Sequence, residues 1–177
     1  GSCSRPWEGD KPLAQGGWQT MGPSAMPFRA DWPTPKAMDT ADMARVRDAF
    51  VASARRCAAA GFDVIELHMA HGYLLSSFLS PLCNVRTDEF GGSLANRARY
   101  PLSVVEAVRA AWPADKPLFV RLSATDWFDD DGKGFTLDEA VQVAKWLKER
   151  GVDVIDVSSA GNVPESRPQC GRMYQAR

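Results

Sequence analysis

Apolar positions along this chain follow two spacings in turn. Between residues 39 and 60, Met43, Val46, Phe50, Ala54 and Cys57 recur every three or four residues, and Arg45, Arg47, Asp48, Arg55 and Arg56 fill the gaps. That period predicts an amphipathic helix ending near residue 60. Asp39 or Thr40 is placed to cap it, acidic residues occupy the first turn, and Gly61 supplies the stop. A short apolar run over 64–67 follows at once and predicts a strand. The order then repeats. A helix is predicted over 94–111, with Leu102 and Val105 on its buried side and Trp112-Pro113 closing it, and a strand over 118–122. Thr136 and Glu139 have the spacing of a capping box and open a third helix to about residue 150. Gly151 ends it, and a third strand is predicted over 154–157.

Two stretches break the pattern. Residues 1–38 are rich in Pro, Gly and Trp, with no period, and predict a loop. It is long for a compact domain, which points to a functional or lid-like segment, or to one severed from its context. Trp7, Trp18 and Trp32 argue against disorder, because large apolar rings find something to pack on. After the first strand comes an excursion over 72–92. Leu74 to Leu79 predict a helical turn, Ser80-Pro81 ends it, and a polar loop over 84–93 follows.

Strands alternating with helices predict an α/β fold with a parallel sheet and right-handed crossovers. A doubly wound sheet and a (β/α)8 barrel both satisfy that order. No G-x-G-x-x-G follows a strand and no P-loop is present, so the nucleotide-binding folds lose support. A barrel needs about 250 residues, so a chain of 177 residues can be only an internal part of one. The organisation expected is one partial TIM-barrel domain over 1–177, with a long loop over 1–38 and β/α units over 39–177.

Composition changes this picture little. The chain is 45% hydrophobic and 24% charged, with a net charge of −1. Such a balance gives no electrostatic reason to expect nucleic acid or an anionic membrane as partner. No apolar run approaches the roughly 18–20 residues of a membrane span, and no signal peptide is visible. Cys3, Cys57, Cys83 and Cys170 are scattered without C-x-x-C spacing, which reads as reduced thiols in a cytoplasmic protein. There is no initiator Met. Gly1-Ser2 is either a cloning scar or the start of a piece cut from a longer protein, and the fold argument favours the piece.

The candidate chemistry lies at the end of the first strand. The chain has two histidines, His68 and His71, with Tyr73 just beyond them. A strand that ends in ionisable side chains places them at the carboxyl edge of a parallel sheet, where such folds put their sites. Two neutral imidazoles can donate N–H bonds to one oxygen and polarise a carbonyl, or they can bind a metal. A metal wants a third ligand; Glu66 is the nearest in sequence, and no other His or Cys cluster supports it. A packed structural pair is the third reading. Tyr73 is either a proton donor or a ring packed on the rim. Arg121 interrupts the apolar strand Leu-Phe-Val-Arg-Leu, a costly placement unless it is paired. It suits an anionic ligand or an electron-rich ring; otherwise it pairs with Glu66 or Asp156. Asp129-Asp130-Asp131-Gly132 fails as a calcium loop, because Lys133 falls at the fifth position and Ala140 at the twelfth.

These residues sit within a longer resemblance. The run Ala60-Gly61-Phe62-Asp63-Val64-Ile65-Glu66-Leu67-His68-Met69-Ala70-His71-Gly72-Tyr73-Leu74 resembles the signature strand of the Old Yellow Enzyme family. So do Phe78-Leu79-Ser80-Pro81, Asn84, Arg86-Thr87-Asp88-Glu89-Phe90-Gly91-Gly92-Ser93, Asn96-Arg97, Phe119 to Ala124 and Gly151 to Ser159. The opening loop, with Arg5-Pro6-Trp7 and Pro23-Ser24-Ala25, resembles the NADPH dehydrogenase and xenobiotic reductase branch. The tail, Arg167-Pro168-Gln169 and Gly171 to Gln175, resembles the reductase-like part of salicylyl-CoA 5-hydroxylase and aminobenzoyl-CoA monooxygenase/reductase proteins, with Cys170 where an aromatic is expected.

The resemblance implies a (β/α)8 barrel with FMN at its mouth and NAD(P)H as reductant, acting on a small-molecule substrate with an activated C=C bond. It implies that His68 and His71 bind the substrate's carbonyl or phenolate oxygen. Tyr73 would be the catalytic proton donor, and Arg121 the flavin contact. No metal is implied. It covers nearly the whole chain but only about strands 4 to 6 of the barrel; the parts holding the FMN phosphate are absent. The chain is therefore expected to be a fragment that binds FMN poorly or not at all alone. Its alternatives are a non-catalytic half-barrel that persists as a homo-oligomer, a reductase-like domain acting on an aromatic acyl-CoA, and a metal-dependent hydrolase.

Overall fold

A computed structural model describes residues 3–4, 11–128 and 133–168. Trp7 and its neighbours 5–10, the acidic run 129–131 with Gly132, and residues 169–177, which include Cys170, lie outside the described residues. The opening segment is not wholly loop. Strands β1 (Met21–Gly22) and β2 (Lys36–Ala37) pair in parallel, joined by Lys36 N–H to the Thr20 carbonyl at 2.8 Å. Two-residue strands carry no readable period, which is why the sequence hides them.

Helix α1 (Thr40–Ala59) starts at Asp39. The Asp39 side chain accepts from Asp42 N–H at 2.8 Å, and the Asp42 side chain reaches back to the Asp39 N–H. This reciprocal arrangement satisfies two donors that a helix start leaves free. Strand β3 (Ile65–Met69), helix α2 (Leu74–Leu79) and helix α3 (Leu94–Ala111) follow. Strand β4 (Leu118–Ser123), helix α4 (Leu137–Glu149) and strand β5 (Val154–Ser158) complete the order. Helix α4 has the predicted capping box, with Thr136 and Glu139 bonded both ways.

The three long strands pair in parallel in the order β3-β4-β5. The pleat sends Leu67, Met69, Leu118, Val120 and Leu122 to one side. There they join Ala54, Val105, Val108, Val143 and Leu147 from α1, α3 and α4 in a single core. Each such Val, Leu or Met side chain contributes roughly 1.5–3 kcal/mol by leaving water. On the other side Glu66, His68, Phe119, Arg121, Val154 and Asp156 are only partly covered or exposed. Among the described residues no helix is long and apolar enough to cross a membrane.

Much of the polar signature around residues 84–97 builds architecture. Asn84 donates to the carbonyls of Phe78 and Phe90, both at 2.8 Å, and so shapes the loop after α2. Arg86 reaches the carbonyls of Pro23 and Met38 and ties the opening segment down. Arg97 is buried; it donates to Gly92 and Leu79 carbonyls and pairs with Glu139 at 2.6 Å. A buried guanidinium persists only when its donors are used in this way.

Candidate active site

The parallel register places His68 beside Arg121, and Arg121 beside Asp156, in one row across β3, β4 and β5. Adjacent strands lie about 4.8 Å apart, so the row spans roughly 10 Å. His68 therefore sits inside the strand rather than beyond it, because its ladder with β4 continues through Met69 and Leu122. Glu66 falls one row away, beside Phe119. The chain then leaves the sheet sharply. His71 and Gly72 both have left-handed backbone, with φ of 58° and 72°. That turn folds His71 back, so the two imidazole rings lie 5.2 Å apart. Tyr73 presents its ring to His68 edge-on at 5.3 Å and is 65% exposed, which leaves the phenol accessible.

His71 is held on several sides. Its N–H donates to Ser123 Oγ at 2.9 Å, and that hydroxyl donates onward to the Ala160 carbonyl at 3.0 Å. Its ring Nε2 lies 2.5 Å from Ser158 Oγ. Ser123 and Ser158 are partners in the β4–β5 register, two residues beyond Arg121 and Asp156. The loops after β3 and β5 also touch directly. A Cβ added at Gly72 would fall 2.0 Å from the Gly161 carbonyl oxygen, and one at Gly161 would fall 2.4 Å from His71 Cα.

Below this edge lies Asp126, fully buried in the β4–α4 connection. Its carboxyl accepts from Ser80 Oγ at 2.5 Å, Asn162 Nδ2 at 2.7 Å and Phe135 N–H at 2.8 Å. One side chain thus joins the loops that follow all three long strands.

Burial holds the His71 pKa below the usual histidine value, and the neighbouring His68 and Arg121 act in the same direction; Asp156 opposes them. The ring is neutral at pH 7. Its folded pKa lies below the unfolded value of about 6.5, so the unfolded chain binds more protons as pH falls through that value. The stability contributed by neutral His71 is present above about pH 6.5 and is lost on acidification toward the folded pKa. Urea midpoints between pH 7.5 and 5 are expected to fall more steeply for the parent than for His71→Asn.

Arg121 takes up one of its two expected pairings. Its Nε lies 3.3 Å from Asp156 Oδ2, and Glu66 is not its partner. The Nε atom is buried yet makes no hydrogen bond, while the side chain as a whole is 37% exposed. The guanidinium is therefore anchored at one corner with donor capacity left over. That fits a ligand edge rich in acceptors, such as the pyrimidine edge of a flavin. The His pair has no third metal-type side chain beside it among the described residues.

A cleft of about 970 Å³ adjoins Tyr73, walled by Trp18, Met26, Phe28, Trp32 and Cys83. Phe28 and Trp32 pack at 5.0 Å, and Arg29 lies over both rings. Burial, with Asp126 adding to it, pushes the Cys83 thiol up to about 12, so it is a protonated wall rather than a nucleophile.

The structure brings His68, His71 and Tyr73 together and sets Arg121 beside His68 on the neighbouring strand. It adds Ser123, Ser158, Asp126 and Asn162, whose part the sequence reading did not identify. One signal was there: hydroxyl residues close β4 and β5 on the same side of the pleat as Arg121 and Asp156.

Fold and site together define an α/β protein that presents hydrogen-bond donors at the carboxyl edge of parallel strands. Residues 11–170 match the NADH:flavin oxidoreductase / NADH oxidase family, and the chain belongs to it, as the Old Yellow Enzyme resemblance implied. It is 51% identical over 146 residues to an NADPH dehydrogenase of Geobacillus thermodenitrificans, covering 82% of this chain and 42% of that protein. It is 43% identical over 178 aligned positions to an NADH:flavin oxidoreductase of Gibberella zeae, covering 93% and 43%. Among solved structures, a complex of 2-naphthoyl-CoA reductase with 2-naphthoyl-CoA matches with a TM-score of 0.73 at 29% identity, over 85% of this chain and 23% of that one. A complex of morphinone reductase with tetrahydroNAD matches with a TM-score of 0.66 at 30% identity, over 78% and 42%. The chain spans about two fifths of the length of the curated relatives it matches.

Proposed function

We propose that these three β/α units are the middle of a (β/α)8 barrel that binds FMN, takes reducing equivalents from NAD(P)H and reduces C=C bonds conjugated to a carbonyl. The observation that carries this reading is the pair of imidazoles 5.2 Å apart at the carboxyl end of β3, with His68 in the row that holds Arg121. His68 and His71 donate N–H bonds to the substrate oxygen and stabilise the negative charge that builds there as the double bond is reduced. A neutral His71 suits that role, since it donates without leaving a second cation beside Arg121. Tyr73, exposed and packed edge-on against His68, delivers a proton to the carbon next to the carbonyl. Bound FMN would supply the hydride, and Arg121 would hold the flavin ring by its acceptor edge.

A second substrate class has its own support. The aromatic cleft beside Tyr73 has room for the body of an aryl or acyl-CoA substrate, and one structural neighbour is described with 2-naphthoyl-CoA. Reduction of an aromatic thioester would use the same oxygen-binding pair.

The test is FMN titration of the purified chain, followed by flavin fluorescence, with size-exclusion chromatography alongside. Because the parts that would hold the FMN phosphate are not among these β/α units, any saturable binding is expected to be weak, and about tenfold weaker again in Arg121→Ala, the loss of one charge-assisted hydrogen bond. A colourless, self-associating chain with no flavin affinity would overturn the reading for this chain and favour the non-catalytic half-barrel.

A further inference from the structure

We propose that Ser158 is a positioning residue that fixes the tautomer of His71. Its hydroxyl donates to Nε2, keeps the ring proton on Nδ1, and so makes Nδ1–H the group offered to a ligand. The part of this concerning substrate rests on the function proposed above; the tautomer itself does not.

The inference follows from counting protons. Ser158 is 4% exposed, and its Oγ lies 2.5 Å from His71 Nε2. A hydroxyl has one proton to give and lone pairs to receive. Were Ser158 to accept from an Nε2–H, its own proton would need another acceptor. Among the described residues Ser158 Oγ has no other hydrogen-bond partner. A buried donor is rarely left unsatisfied, so the hydroxyl gives its proton to Nε2. Ser123 makes the contrast: its oxygen accepts from His71 N–H and its proton goes to the Ala160 carbonyl. The backbone of His71 is thus fixed by one serine and its ring by the other.

The remaining nitrogen then has a defined character. Nδ1 has no hydrogen-bond partner among the described residues, and the His71 ring is only partly covered. With Nε2 occupied as an acceptor, Nδ1 carries the proton and faces whatever enters. Free imidazole side chains ordinarily favour the opposite tautomer, with the proton on Nε2. Without Ser158 the ring would present a lone pair where the proposed chemistry needs a donor. The neighbouring groups oppose the alternative of adding a second proton, since His68 and Arg121 both stand close by.

Long-range proton–nitrogen NMR reads this directly, and the chain has only two histidines to assign. His68→Gln leaves the His71 signals alone. The parent is expected to show Nδ1 as the protonated nitrogen and Nε2 as the bare one. Ser158→Ala is expected to move the proton wholly or largely to Nε2, and Ser158→Thr, which keeps the hydroxyl on a strand-favouring residue, to restore the parent pattern. An Nε2–H tautomer in the parent would overturn the proposal, and that spectrum needs no variant that folds. An unchanged tautomer in a folded Ser158→Ala would overturn it as well. Neither reading involves flavin, so a chain that fails to bind FMN but shows Nδ1–H sinks the proposed function and leaves this inference standing.

Discussion

On the proposed function, His68→Ala is expected to lower kcat/KM for reduction of a cyclic enone about 10²–10³-fold in the FMN-loaded protein, the usual cost of losing one preorganised donor to a developing oxyanion. The loss is large because His71 would be left as the one imidazole donating to that oxygen. Arg121 is held at one corner by Asp156, and the Tyr73 ring packs against the His68 ring at 5.3 Å. His68 also stands on the strand itself, so its position is set by the ladder with β4 rather than by a loop that can adapt. Steady-state assays with NADPH and NADH as reductant provide the measurement, with flavin affinity as the control. His68→Asn, which retains an N–H, is expected to recover part of the rate. Activity within about threefold of the parent would remove His68 from oxygen binding, since such a difference is under 1 kcal/mol of barrier.

Asp126→Ala is expected to destabilise the protein by about 3 kcal/mol, since it strips three buried donors of their acceptor at once. Ser80 Oγ, Asn162 Nδ2 and Phe135 N–H would each lose a bond of 2.5–2.8 Å in a place water does not reach. For a chain of this size that corresponds to a fall in Tm of roughly 10 °C. Asp126→Asn keeps one carbonyl oxygen and is expected to cost less. Urea unfolding of the three proteins gives the comparison. Equal midpoints for Asp126→Ala and the parent would mean that the loops are held by their backbone contacts alone.

The elements that a period can encode were legible. Helix α1 shows its apolar positions at three- and four-residue spacing, and α4 announces itself by Thr136 and Glu139. His68, His71 and Tyr73 stand out in the sequence as ionisable groups where an apolar strand ends, and Arg121 as a charge inside one; the register then places His68 and Arg121 side by side. What escaped was set by contacts between distant segments. Strands β1 and β2 exist because residues 21–22 and 36–37 find one another, not because of a local pattern. Arg121 had two candidate partners in sequence, and only the β4–β5 register chooses Asp156 over Glu66. Asp126 lies in a connection that reads as polar loop; its burial depends on Ser80, some 46 positions away, and Asn162, 36 away. Ser158 reads as the polar end of a strand until the turn at His71 brings Nε2 onto it.

The main-chain contact between Gly72 and Gly161 has an evolutionary corollary. Two loops that touch without side chains cannot be elaborated one at a time. Any side chain added at either glycine strikes the opposite backbone, and an insertion beside either would shift the histidine that both support. This edge is closed to the gradual remodelling by which barrel enzymes usually acquire new substrates. Diversification is left to the opposite wall, where Trp18, Phe28 and Trp32 line the cleft from a segment tied down at only a few points. On the proposed function, the chemistry and the choice of substrate would in this way be carried by separate stretches of chain, one frozen by its geometry and the other free to drift.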